Sequence, residues 1–156
     1  MIILDIEASG LNLESYPIEI AWQHRSNPKL LDSFFIRPAP EWTYWDQYAE
    51  DHIHHISRST IQAEGIDVYA AATRLNDALG EYEVYSDSPE YDGRWLGRLF
   101  RAAQIEKRFR LLSVYSLIDP SKEVSFQHRY AQSEIQHRAL SDVKNIIECL
   151  NYYTRW

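Results

Sequence analysis

The chain opens on an apolar run, Ile2, Ile3, Leu4 and Ile6, with two acids, Asp5 and Glu7, set into it. Such a run predicts a mostly buried first strand. Gly10 breaks it. Ile18, Ile20 and Trp22 then alternate with Glu19, Ala21 and Gln23, the period-2 pattern of a strand. A third strand is read over residues 29–38, stopped by Pro38 and Pro40. Short connections between these three predict an antiparallel meander. Helical stretches follow. Ser57 is a candidate cap for a helix ending near Gly65, and Asp67 for one ending at Gly80. Val68, Ala71, Ala72, Leu75 and Leu79 of that second helix fall at helical spacing. Residues 82–87 read as a fourth strand, 88–104 as a helix with Pro89 in its first turn, and 109–115 as a fifth strand. A helical stretch is expected from about Glu123 to Glu134. A last helix carries the stripe Val143, Ile146, Ile147 and Leu150, with Ser141 as its cap. The order is α/β with a mixed five-stranded sheet, its first three strands antiparallel, flanked by helices.

Bulk properties narrow the picture. The 156 residues suit one domain, 1–156, and 45% hydrophobic content supports one core. No leader-like N-terminus or membrane-length apolar run is visible, so a cytoplasmic protein that does not enter a membrane is expected. Cys149 is the only cysteine, which excludes an intrachain disulfide and a Cys-based zinc site. The net charge of -7 argues against a partner gripped through many phosphates, unless bound cations neutralise the site. The basic cluster is modest: Arg94, Arg98, Arg101, Lys107, Arg108 and Arg110.

Against that background the acids matter. Asp5 and Glu7, two apart on a strand, project from one face. Two buried like charges raise each other's proton affinity unless a cation compensates, and oxygen-bound divalent metals do so. A strand end whose acids reach water is the alternative. Asp92 lies in the first turns of the helix that follows the fourth strand, with Leu96 and Leu99 repeating from it. It is either a metal ligand or a residue favoured by the helix dipole. Asp87 is a rival for the same role. Asp142 starts the last helix and His137 precedes it on a loop, where the imidazole is either a base for an attacking water or simply solvated.

The segments Asp5 to Leu11 (DIEASGL), Tyr91 to Leu96 (YDGRWL) and His137 to Asp142 (HRALSD) resemble, in this order, the three motifs of the DEDDh 3′–5′ exonuclease family. That family has an RNase H-like fold and includes oligoribonucleases, RNase T and proofreading exonucleases. Residues 17–22 (PIEIAW) and 54–57 (HHIS) are similar to the family's second strand and histidine turn, so the likeness runs from Ile2 to about Leu150. It implies that Asp5, Glu7, Asp92 and Asp142 hold two Mg²⁺ or Mn²⁺ ions and that His137 is the general base. It also implies that Ser9, Gly10 and Leu11 line the terminal nucleotide, with His54 as the turn histidine beside them. Ser9 stands where the family has Thr, Asp87 and Ser88 where it often has His-Asn, and His55 where Gly is usual.

The resulting expectation is a metal-dependent exonuclease releasing 5′-mononucleotides from short single-stranded DNA or RNA, down to dinucleotides, because no basic track is evident. A homodimer is compatible with the aromatic segment Trp42, Tyr44, Trp45 and Tyr48, whose members are the best stacking or interface candidates. Two other readings stand beside it: a catalytically idle nucleic-acid-binding module, and a phosphohydrolase of small nucleotides. A histidine zinc site at His52 and His55 lacks a partner at convincing spacing.

Overall fold

The computed structural model describes residues 1–133 and 136–154. Strands β1 (Ile2–Ala8), β2 (Pro17–His24) and β3 (Asn27–Phe35) form the expected meander, and β4 (Val84–Ser86) and β5 (Leu111–Ser113) run parallel to β1. The sheet order is β3-β2-β1-β4-β5, which places β1 at the centre. Pro28, which cannot donate to a ladder, lies in edge strand β3.

Helices cover both faces. Ile2, Leu4, Ile6 and Ala8 point into a core shared with α3 (Val68–Leu79) and α4 (Pro89–Ala103), through Leu75, Leu79, Leu96 and Leu99. Ile3 points the other way, toward Phe126 of α5 (Glu123–Gln132) and Val143, Ile146 and Leu150 of α6 (Ala139–Tyr153). The last residue of the expected α5 stretch, Glu134, lies outside the described residues. Two short helical segments, α1 (Gln47–Ala49) with a wider turn over Glu50–His54, and α2 (Arg58–Glu64), bridge β3 to α3. Caps at Ser57 and Asp67 form as the sequence suggests: their side chains accept from the N–H groups of Thr60 and Ala70.

Both faces of β2 are buried: Glu19, Ala21 and Gln23, which alternate with its apolar positions, lie under α6. Two expectations need correction. Helix α6 begins at Ala139, not at Ser141, and no side chain of its own residue Arg138 caps it. Trp42 is not a surface stacker: it is buried and stacks on Tyr16 with ring centroids 5.3 Å apart.

Candidate active site

Parallel strands β1 and β4 end on the same side of the sheet, and the crevice beyond such ends is where α/β folds place ligands. Asp5 and Glu7 occupy the second half of β1, on the face shared with Ile3. Asp87 follows the last residue of β4, and Asp92 follows in the first turn of α4. Asp142 comes from the first turn of α6, and His137 from the residue stretch before it. These six residues line one cleft of about 380 Å³, together with Gly10, Leu11, His54, Tyr91, Trp95 and Tyr130.

The cleft contains two groups of close donors. Ligand atoms of Glu7, His137 and Asp142 lie within 4.8 Å of one another, as do those of Asp5, Asp87 and Asp92. The structure therefore brings together all four carboxylates and the histidine singled out from sequence, and it adds Asp87 instead of choosing between Asp87 and Asp92. Asp92 accepts a short hydrogen bond from the Ser86 hydroxyl, and Tyr130 donates to Asp87.

Burial dominates the electrostatics. It pushes the Asp5 carboxyl well above the usual carboxylate range, with the charges of Asp92 and Glu7 adding to the effect. Glu7 is pushed up to about 8, by burial first and then by Asp142 and Glu19; only Arg138 opposes this. Asp92 and Asp142 are raised as well, again chiefly by burial. So many buried acids with a single guanidinium nearby form a site that lacks positive charge. An all-oxygen donor set with one imidazole suits hard divalent ions such as Mg²⁺ and Mn²⁺. The residues present fit such ions.

The substrate-side candidates divide. Leu11 is 63% exposed and forms part of the cleft rim. Gly10 is needed for close packing: a Cβ there would lie 2.8 Å from Tyr44 Cε1 and 3.0 Å from Asp46 Cβ. Ser9 does not line the cleft. Its buried hydroxyl accepts from the Tyr16 N–H at 3.2 Å, tying the loop back to β2. His54 is buried at the cleft wall, where its Nδ1 accepts from the Ile56 N–H at 3.0 Å and burial lowers its pKa to about 4. His55 has φ +54°, which explains why glycine is usual at that turn position. Of the two remaining histidines of that segment, His52 stacks on Tyr48.

Sequence reasoning missed Glu19. It sits directly across the sheet from Glu7. Its carboxylate accepts from Arg138 Nε at 3.1 Å, from Arg138 Nη2 at 2.9 Å and from the Ala139 N–H at 3.1 Å. The cap that α6 lacks in its own sequence is thus supplied by β2, which holds the Arg138 side chain and the Ala139 N–H, one and two residues after His137. His137 itself adopts φ +49° and is exposed. Tyr130 was missed too, since α5 carries no local motif that marks it.

No protein-family model matches the chain. No curated protein matches it either. Solved structures do. Exonuclease I from Methylocaldum szegediense is 15% identical and superposes with a TM-score of 0.74, over 97% of this chain and 40% of that one. The zinc-bound form of E. coli exonuclease I in complex with single-stranded DNA is 16% identical, with a TM-score of 0.71 over 97% and 40%. The same enzyme bound to a dT13 oligonucleotide gives 14%, 0.72, 97% and 41%. The chain spans about two fifths of the length of these structures. At such identities the likeness establishes the fold, the RNase H-like α/β fold of exonucleases.

Proposed function

We propose that the chain is a metal-dependent 3′–5′ exonuclease that hydrolyses short single-stranded nucleic acid to 5′-mononucleotides. The observation that carries this reading is the cleft itself: buried carboxylates from β1, α4 and α6, short of positive charge, face an exposed imidazole. The likeness to exonuclease I complexes with single-stranded DNA supports it.

Asp5, Glu7, Asp92 and Asp142 would hold two ions, with Asp87 beside them. When bound, Mg²⁺ or Mn²⁺ supplies charge stabilisation for the attacking and leaving oxygens of an in-line displacement. His137 takes the proton of a water that attacks the terminal phosphodiester phosphorus. The bond from phosphorus to the 3′ oxygen breaks. That oxygen leaves on the shortened strand and is protonated, and the released nucleotide keeps its 5′ phosphate. Leu11 packs against the terminal base, and Gly10 seats the loop that carries it against Tyr44 and Asp46. Ser9 supports this loop from behind.

The test is hydrolysis of a dinucleotide and of a mononucleotide phosphate ester side by side, with Mn²⁺ and with EDTA. Metal-dependent cleavage of the dinucleotide alone is expected. Preference for the monoester would make the chain a phosphohydrolase, and no turnover of either would leave it an idle binding module.

A further inference from the structure

We propose that the outer face of α4 is a track for the phosphates upstream of the scissile bond, so that the chain grips strands of four or more nucleotides. This rests on the exonuclease reading and adds a length preference to it: a dinucleotide reaches the cleft alone, and longer strands are held more tightly. Tyr91, Arg94, Arg98 and Arg101 recur at intervals of three, four and three residues, which makes one stripe on a helix. Its opposite face, Trp95, Leu96, Leu99 and Phe100, is buried in the core. The stripe starts at the cleft, because Tyr91 lines it. At 1.5 Å per residue it extends roughly 15 Å from there to Arg101.

The three guanidiniums are placed but not neutralised. Arg94 lies over the Tyr91 ring, 4.9 Å from its centroid, and Arg98 lies over Trp42 at 5.7 Å. Arg98 also donates to the Leu13 carbonyl at 3.3 Å, which joins the stripe to the loop carrying Leu11. Arg98 and Arg101 line a groove of about 340 Å³ with Trp42, Ala102 and one acid, Glu41. Among the described residues the ion pairs are Arg74 with Asp32 and Arg138 with Glu19, so none of the three has a carboxylate partner. A row of unpaired arginines on a chain of net charge -7 is a local reversal of sign. Planar guanidiniums held against rings are suited to bidentate phosphate binding, one phosphate to each arginine. A dinucleotide in the cleft would leave the stripe unused.

Binding and cleavage of oligothymidylates of about two, five and eight nucleotides test this, using the full chain and a variant with Arg94→Ala, Arg98→Ala and Arg101→Ala. Anisotropy of a labelled octamer in EDTA reads the track without requiring activity. Losing three phosphate contacts should lower the slope of log affinity against log salt by about 2, at roughly 0.7 per phosphate on a single strand. Between about 50 and 200 mM salt that slope corresponds to a roughly 20-fold loss that the parent shows and the variant does not. The ratio of kcat/KM for octamer to dimer should fall by about 10-fold or more in the variant. Glu41→Gln, which removes the groove's acid, should tighten the octamer. Unchanged salt slope and length ratio in the triple variant would overturn the track. Absence of all cleavage, with the anisotropy difference intact, would overturn the exonuclease reading and leave the track standing.

Discussion

Glu7 offers a quantitative test of the charge argument. An ordinary glutamate titrates near 4.5, and in the folded chain Glu7 holds its proton up to about 8. Between those values the unfolded chain releases a proton that the folded chain retains. The folded state therefore binds more protons, and metal-free stability falls as pH rises through that interval. At 1.36 kcal/mol per pH unit the whole interval amounts to about 5 kcal/mol, a large part of a typical domain's stability. His54 acts in the opposite direction below pH 6.5, since burial lowers its pKa from 6.5 to about 4 and stability is gained as it deprotonates in the unfolded chain. Above that pH the Glu7 effect stands clear of His54, about 2 kcal/mol from pH 6.5 to 8. Asp5 and Asp92, raised in the same direction, add to it. Urea unfolding in EDTA across pH 5 to 8.5, for the parent and for Glu7→Gln, measures this. The parent should lose stability toward pH 8, and the variant should lose less, with the difference between the two growing through the interval. Saturating Mg²⁺ or Mn²⁺ should restore the parent at pH 8, stabilising it by mass action by about 3 kcal/mol at a hundredfold excess over Kd and so raising its Tm. Parallel pH profiles for parent and variant in EDTA would refute the reasoning.

Three substitutions follow from the same geometry. His137→Ala should lower kcat by about 10²- to 10⁴-fold, the usual worth of a general base, while Tm measured by calorimetry stays near the parent value because the side chain is exposed. Glu19→Ala removes the acceptor of the Ala139 N–H and a partner of Arg138; since Arg138 is about half exposed, water takes up part of the loss, and about 1–3 kcal/mol of destabilisation is expected. Its kcat should fall by roughly 10-fold or more as the segment bearing His137 loosens, with Glu19→Gln recovering part of it. Gly10→Ala should cost about 1–3 kcal/mol in urea unfolding, through the contact with Tyr44.

How much of this was legible in the sequence depended on whether the signal was local. Ser57, Asp67 and Pro89 announce helix starts through chemistry within one turn, and the structure has them. The acids and His137 are visible because the residue types are unusual for their surroundings. Glu19 carries no such mark: in an alternating strand a glutamate reads as a solvent-facing position, and only the packing of α6 on β2 turns it inward. The start of α6 was misplaced for the same reason, since its cap comes from a residue 120 positions away. Trp42 reads as a surface aromatic after Pro40, and its burial against Tyr16 depends on a loop whose path no periodicity predicts. The arginine stripe on α4 is visible as spacing, but its continuity with the cleft follows only from where Tyr91 sits.

The central claim is tested most directly by incubating a 5′-labelled single-stranded oligonucleotide with the chain and Mn²⁺, beside an Asp5→Asn variant, and resolving the products by length. The account predicts a ladder shortened from the 3′ end, with 5′-mononucleotides released, abolished by EDTA and by Asp5→Asn. Full-length substrate throughout, or an equal ladder from Asp5→Asn, would contradict it.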